Sequence, residues 1–170
     1  IKECLHDYKF EFEISSFFQI NSAQAINIYD YAAKLALMDN PENVLELYSG
    51  VGSLTAFLAS GAKKVVAVES WLPAAKYAKT NAALNEHNNI TAFTGRAEDI
   101  ITTFTNEKFD VIVLDPPRTG CDTQVIESII KINPAKIVYG SCNPATMARD
   151  IKNLLTGGYS LADTVPFDMF

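Results

Sequence analysis

Cys142, in Ser141-Cys142-Asn143-Pro144, and Asp115, in Asp115-Pro116-Pro117-Arg118-Thr119-Gly120, are the residues of this sequence best suited to chemistry. Each closely follows a short run rich in β-branched residues, Val111-Ile112-Val113-Leu114 and Lys136-Ile137-Val138-Tyr139, so each should stand at the carboxyl end of a strand. A strand-end cysteine taken alone reads as a small apolar residue. Here Pro144 suits the first turn of a helix, and a thiol just ahead of a helix N-terminus has its thiolate favoured by the dipole. Two consecutive prolines after Asp115 remove two backbone donors and fix both φ angles, which makes a stiff shelf that cannot continue a sheet. A thiolate beside such a shelf is suited to covalent attack on an electron-poor carbon.

A second group lies upstream. In Glu46-Leu47-Tyr48-Ser49-Gly50-Val51-Gly52-Ser53-Leu54 a strand runs into a turn with two glycines and then a helix. Gly50 and Gly52 let the backbone turn tightly and approach a ligand. A third glycine and a phosphate-binding lysine are missing, which weakens dinucleotide and triphosphate readings. About twenty residues on, Val65-Val66-Ala67-Val68-Glu69 ends in a carboxylate placed to accept both hydroxyls of a ribose. Nicotinamide and S-adenosylmethionine enzymes share this pairing, and a tight βα turn with a solvated glutamate is the bland alternative.

The elements that must position these residues alternate. The β-branched runs predict strands at Asn43–Tyr48, Lys64–Glu69, Ile90–Gly95, Phe109–Asp115, Ala135–Ser141 and Tyr159–Val165. Helical spacing predicts Ser22–Met38, Ser53–Ser60, Pro73–His87, Glu98–Thr103, Thr123–Ile132 and Pro144–Leu155, the first capped by Asn21 or Ser22. This is an α/β chain with a doubly wound, mostly parallel sheet, in which ligands bind beyond the carboxyl ends of the strands.

At 170 residues, 48% hydrophobic and 20% charged, the expectation is one domain. Three dispersed cysteines, Cys4, Cys121 and Cys142, argue against a disulfide framework. With no apolar run of membrane-spanning length, a cytoplasmic, monomeric protein is expected. The net charge of −6 counts against a phosphate grip within the chain. The start on Ile1 and the close on Pro166-Phe167-Asp168-Met169-Phe170 read as a segment of something longer.

Three motifs together resemble the bacterial RNA uracil-5-methyltransferases, a family that includes ribosomal-RNA and transfer-RNA enzymes. They are Asp115-Pro116-Pro117-Arg118-Thr119-Gly120, Ser141-Cys142-Asn143-Pro144-Ala145-Thr146 with Arg149-Asp150 behind it, and Phe17-Phe18-Gln19-Ile20-Asn21. The match runs in order from Ser16 to Phe170. The resemblance implies a class I S-adenosylmethionine-dependent methyltransferase fold, Rossmann-like, and an enzyme acting on RNA, ribosomal ahead of transfer. It implies that Gln19, Tyr48, Glu69 and Asp115 contact S-adenosylmethionine, that Gly50 and Gly52 leave room for its methionine part, and that Cys142 is the nucleophile. S-adenosylhomocysteine would be the product, and no metal is expected.

Phe17 and Phe18 are candidates to stack on a flipped base, with buried packing as the alternative for one of them. Arg118 either steadies charge on the uracil oxygen or pairs with Asp122. Asn81 and Asn85 read as surface polar residues. The family's general base, a glutamate in a His-Val-Glu motif, is expected beyond Phe170, and RNA-binding parts, in some members with an iron–sulfur cluster, ahead of the chain. The segment by itself is therefore expected to bind cofactor and to methylate poorly. Rival readings are an amino-methyltransferase acting on an exocyclic base nitrogen, which would have no use for Cys142, and a non-catalytic RNA-binding domain of the same fold. A nicotinamide oxidoreductase is disfavoured by the proline shelf.

Overall fold

Asn43–Leu47 (β3), Lys64–Glu69 (β4), Ile90–Thr94 (β5), Val111–Leu114 (β6) and Lys136–Tyr139 (β7) form one parallel sheet in the order β5-β4-β3-β6-β7. The computed structural model describes residues 1–169, so Phe170, the last residue of the resemblance, lies outside the described residues. The chain builds outward from β3 to β5, then crosses back to lay β6 on the other side of β3. The strand order thus reverses between β3 and β6, the place where such sheets open a crevice at their carboxyl ends.

Both faces of the central strands are covered, so β3, β4 and β6 read as nearly continuous apolar runs. Val44, Val65, Val111 and Val113 face Ser22–Leu37 (α1), Ser53–Ala59 (α2) and part of Leu72–Leu84 (α3). Their neighbours Leu45, Leu47, Val66, Val68, Ile112 and Leu114 face Ala97–Thr103 (α4), Thr123–Ile132 (α5) and Leu154 of Pro144–Thr156 (α6). Period-two alternation divides the strands between two cores. Among the described residues no helix is long and apolar enough to cross a membrane.

Two sequence expectations fail. Tyr159–Val165 forms no strand: after Gly157 and Gly158 the chain runs irregularly. It is held by side chains, with Tyr159 donating to the Pro134 carbonyl (3.1 Å), Tyr31 donating to Asp163 (3.1 Å), and Tyr31 against Phe167. Alternation alone does not make a strand where no ladder partner is aligned. Conversely, Lys2–Leu5 (β1) and Tyr8–Glu11 (β2) form an antiparallel hairpin that the sequence reading left blank. Its short strands turn through His6 at φ 49° rather than through a glycine, so the usual turn signal is missing.

Candidate functional site

β3 stops at Leu47 because Tyr48 enters the left-handed region at φ 65°, followed by Gly50 at 58° and Gly52 at 86°. A left-handed tyrosine costs about 1–2 kcal/mol, and such strain collects at ligand-binding loops. The loop is held all the same. Ser49 N–H donates to the Val68 carbonyl (3.0 Å), Gly52 N–H to the Ser49 carbonyl (3.0 Å), and Gly50 N–H to Glu69 Oε2 (2.9 Å). Glu69 Oε1 accepts from Trp71 N–H (2.6 Å), so this carboxylate links the glycine loop to the start of α3.

The two glycines are needed for different reasons. A Cβ on Gly50 would meet nothing within 4 Å, whereas one on Gly52 would stand 3.3 Å from Ala78 Cα. Gly50 faces open space where a ligand can lie. Gly52 lets α3 pack against the loop.

Glu46, which the sequence reading passed over, points from β3 into the α1 side of the sheet and is 3% exposed. Burial pushes its carboxyl up to about 8, helped by Asp115 and Glu69, while the nearby Thr55 hydroxyl pulls the other way. Among the described residues its Oε2 and the Ser49 hydroxyl have no hydrogen-bond partner. Burial also raises the Tyr29 hydroxyl, and the charges of Asp115 and Glu46 add to the rise. Asp115 is reached by solvent, yet protein surrounds it at the floor of the crevice, and the loss of water raises its carboxyl. Three carboxyls from adjacent strand ends thus converge on one recess, a surrounding suited to a cationic ligand. An acid in the otherwise apolar run Val44–Leu47 was the available signal.

The loop that carries Cys142 is fastened to this recess. Gly140 N–H donates to the Leu114 carbonyl (2.7 Å), and a Cβ at Gly140 would stand 3.2 Å from Asp115 Oδ1, so the chain leading to Cys142 runs close past Asp115. Cys142 is exposed and free, directly before Asn143, whose side chain caps α6. Asn143 Nδ2 (3.0 Å) and the Thr146 hydroxyl (3.1 Å) both donate to the Arg118 carbonyl. Behind them, Asp150, 1% exposed, accepts from Cys121 N–H (2.8 Å) and the Tyr139 hydroxyl (2.7 Å). Arg149 pairs with Asp150 and donates to the Thr119 and Cys121 carbonyls. The proline shelf and the cysteine loop are therefore one braced unit. Cys121, the competing thiol, is buried, and burial pushes it up to about 11.

The remaining predicted residues divide. Phe18 stacks on Phe12 (4.3 Å, 9°) and belongs to the core, while Phe17 is 74% exposed. Gln19 is half-buried on the same segment and reaches none of Tyr48, Glu69 or Asp115 by a hydrogen bond among the described residues. Asp122 caps α5 through Gln124 N–H (2.9 Å) and forms no ion pair with Arg118 among the described residues. Asn81 is no surface residue, being 1% exposed.

The family model described as tRNA (uracil-5-)-methyltransferase matches residues 3–170. The chain belongs to that family. An uncharacterised RNA methyltransferase of Bacillus cereus is 43% identical over 172 aligned residues, which cover 100% of this chain and 37% of that protein. One from Caldanaerobacter subterraneus subsp. tengcongensis is 41% identical, again over 100% of the chain and 38% of the relative. The chain thus spans little more than a third of the length of the curated relatives it matches. Among solved structures, the tRNA (uracil-54, C5)-methyltransferase of Pyrococcus abyssi in complex with S-adenosyl-L-homocysteine superposes with a TM-score of 0.81 at 32% identity, covering 91% of this chain and 37% of that one. An S-adenosylmethionine-dependent methyltransferase of Agrobacterium tumefaciens shares the fold, with a TM-score of 0.72 at 19% identity over 91% of this chain and 57% of that one.

Proposed function

We propose that this domain transfers a methyl group from S-adenosylmethionine to carbon 5 of a uridine in RNA through a covalent bond between Cys142 and carbon 6. The observation that carries the proposal is the exposed Cys142 at the N-terminus of α6, braced against the Asp115 shelf. The recess fits the cofactor. Glu69 would accept from the ribose hydroxyls, Gly50 leaves space, and the carboxyls of Glu46 and Asp115 would favour the cationic groups of the cofactor. When bound, S-adenosylmethionine supplies the methyl group.

The Cys142 thiolate adds to carbon 6, and the electron pair of the carbon 5–carbon 6 double bond moves toward the carbonyl as an enolate. Carbon 5 is then nucleophilic and takes the methyl group. A base removes the carbon 5 proton, and the thiolate leaves as the double bond re-forms. Arg118, free of Asp122, is available to the uracil oxygen, and Phe17 to the face of an extruded base.

RNA carrying 5-fluorouridine tests this, because fluorine on carbon 5 cannot leave as a proton does. The full-length protein with S-adenosylmethionine should form an adduct that survives denaturing electrophoresis, and Cys142→Ala should form none. An adduct that persists in Cys142→Ala places the nucleophile elsewhere. Ribosomal RNA is the expected substrate, with transfer RNA as the second arm of the same assay.

A further inference from the structure

Asn81 occupies a position for which the surface reading offers no use. It lies within α3, buried, with all of its amide engaged. Its Oδ1 accepts from Glu11 N–H (2.8 Å), and its Nδ2 donates to the Glu11 carbonyl (3.1 Å) and to the Val51 carbonyl (2.9 Å). The amide therefore pairs with the edge of β2 as another strand would, and at the same time grips the residue between Gly50 and Gly52. Asn85, one turn on, makes the same pair of bonds to Lys9 N–H and carbonyl (2.8 Å each). It bonds no residue of the glycine loop among the described residues.

α3 touches the glycine loop a second time, through Ala78 against Gly52. The helix therefore carries two contacts to the loop and two asparagines to the hairpin, and Asn81 belongs to both sets. We propose that Asn81 is a positioning residue that sets the glycine loop relative to the N-terminal hairpin and thereby fixes cofactor affinity. This rests on the loop holding the cofactor, as proposed above. Asn85 serves as an internal control, since it fastens the same hairpin by the same chemistry without the loop.

Calorimetric titration of the chain with S-adenosylhomocysteine tests the idea. Asn81→Ala should weaken binding by about tenfold, the effect of one lost buried hydrogen bond. Asn85→Ala should stay within about twofold of the unaltered chain, although both variants melt earlier. Asn81→Asp keeps the acceptor for Glu11 N–H but turns an oxygen toward the two carbonyls that Nδ2 served, so it should bind no better than Asn81→Ala. Equal effects at positions 81 and 85, or none at 81, overturn the proposal. Failure of the unaltered chain to bind would instead remove the cofactor reading on which it stands.

If Asn81 variants do not fold, amide exchange on the unaltered chain decides, because coupling is reciprocal. S-adenosylhomocysteine should slow exchange at Glu11 N–H and leave Lys9 N–H as it was. Unchanged exchange at Glu11, or equal slowing at both, counts against Asn81 as the link.

Discussion

At the scale of single residues, Glu46 has the most measurable consequence. Its carboxyl, raised to about 8 from an ordinary 4.5, keeps its proton in the fold at pH values where the unfolded chain has lost it. Stability from this group is therefore full below the ordinary value and is lost as pH rises through about 8. Differential scanning calorimetry should show the melting temperature of Glu46→Gln falling less over that interval than that of the unaltered chain. An unchanged slope would assign the proton to Asp115, whose carboxyl is also raised. Cys121 and Cys142 show what environment adds to residue type: of the three thiols in the sequence, Cys121 is buried, Cys4 lies on a strand, and Cys142 stands exposed ahead of a helix.

Among the elements, the brace between the proline shelf and α6 is the most vulnerable. Gly120 sits at φ 76°, and a Cβ there would lie 2.6 Å from both Arg149 Nη2 and Asp150 Oδ2. Gly120→Ala should lower stability by about 1–2 kcal/mol from the backbone alone and more from displacing Asp150, as read by denaturant unfolding. Stability equal to that of the unaltered chain would mean the brace yields freely. The same elements show how far sequence reading reached. The five parallel strands were legible because the central ones are apolar on both faces and glycine or proline follows several of them. The hairpin was not, because its four-residue strands are too short to show a period and its turn lacks glycine. Which of Phe17 and Phe18 is buried, and that Asn81 is, could not be read for a related reason: their partners, Phe12 and Glu11, lie in or beside that hairpin.

Over the whole molecule, the strand order carries a further implication. Of the residues assigned to the cofactor, Gln19, Tyr48, Gly50, Gly52 and Glu69 all precede the exposed turn at Asn106-Glu107-Lys108, and only Asp115 follows it. Cys142, Arg118 and their brace all follow it. The two stretches meet along the ladder that pairs Val44 with Val111 through Leu47 with Leu114, and across the Lys136–Asp39 ion pair (2.7 Å). Two polypeptides broken at that turn should co-purify when expressed together and bind S-adenosylhomocysteine, with neither doing so alone; independent purification of the two pieces would refute this. The residues proposed for the methyl donor and those proposed for the uridine fall, Asp115 apart, into two cassettes zipped along one seam, and the seam is where a natural or engineered recombination could exchange one while keeping the other.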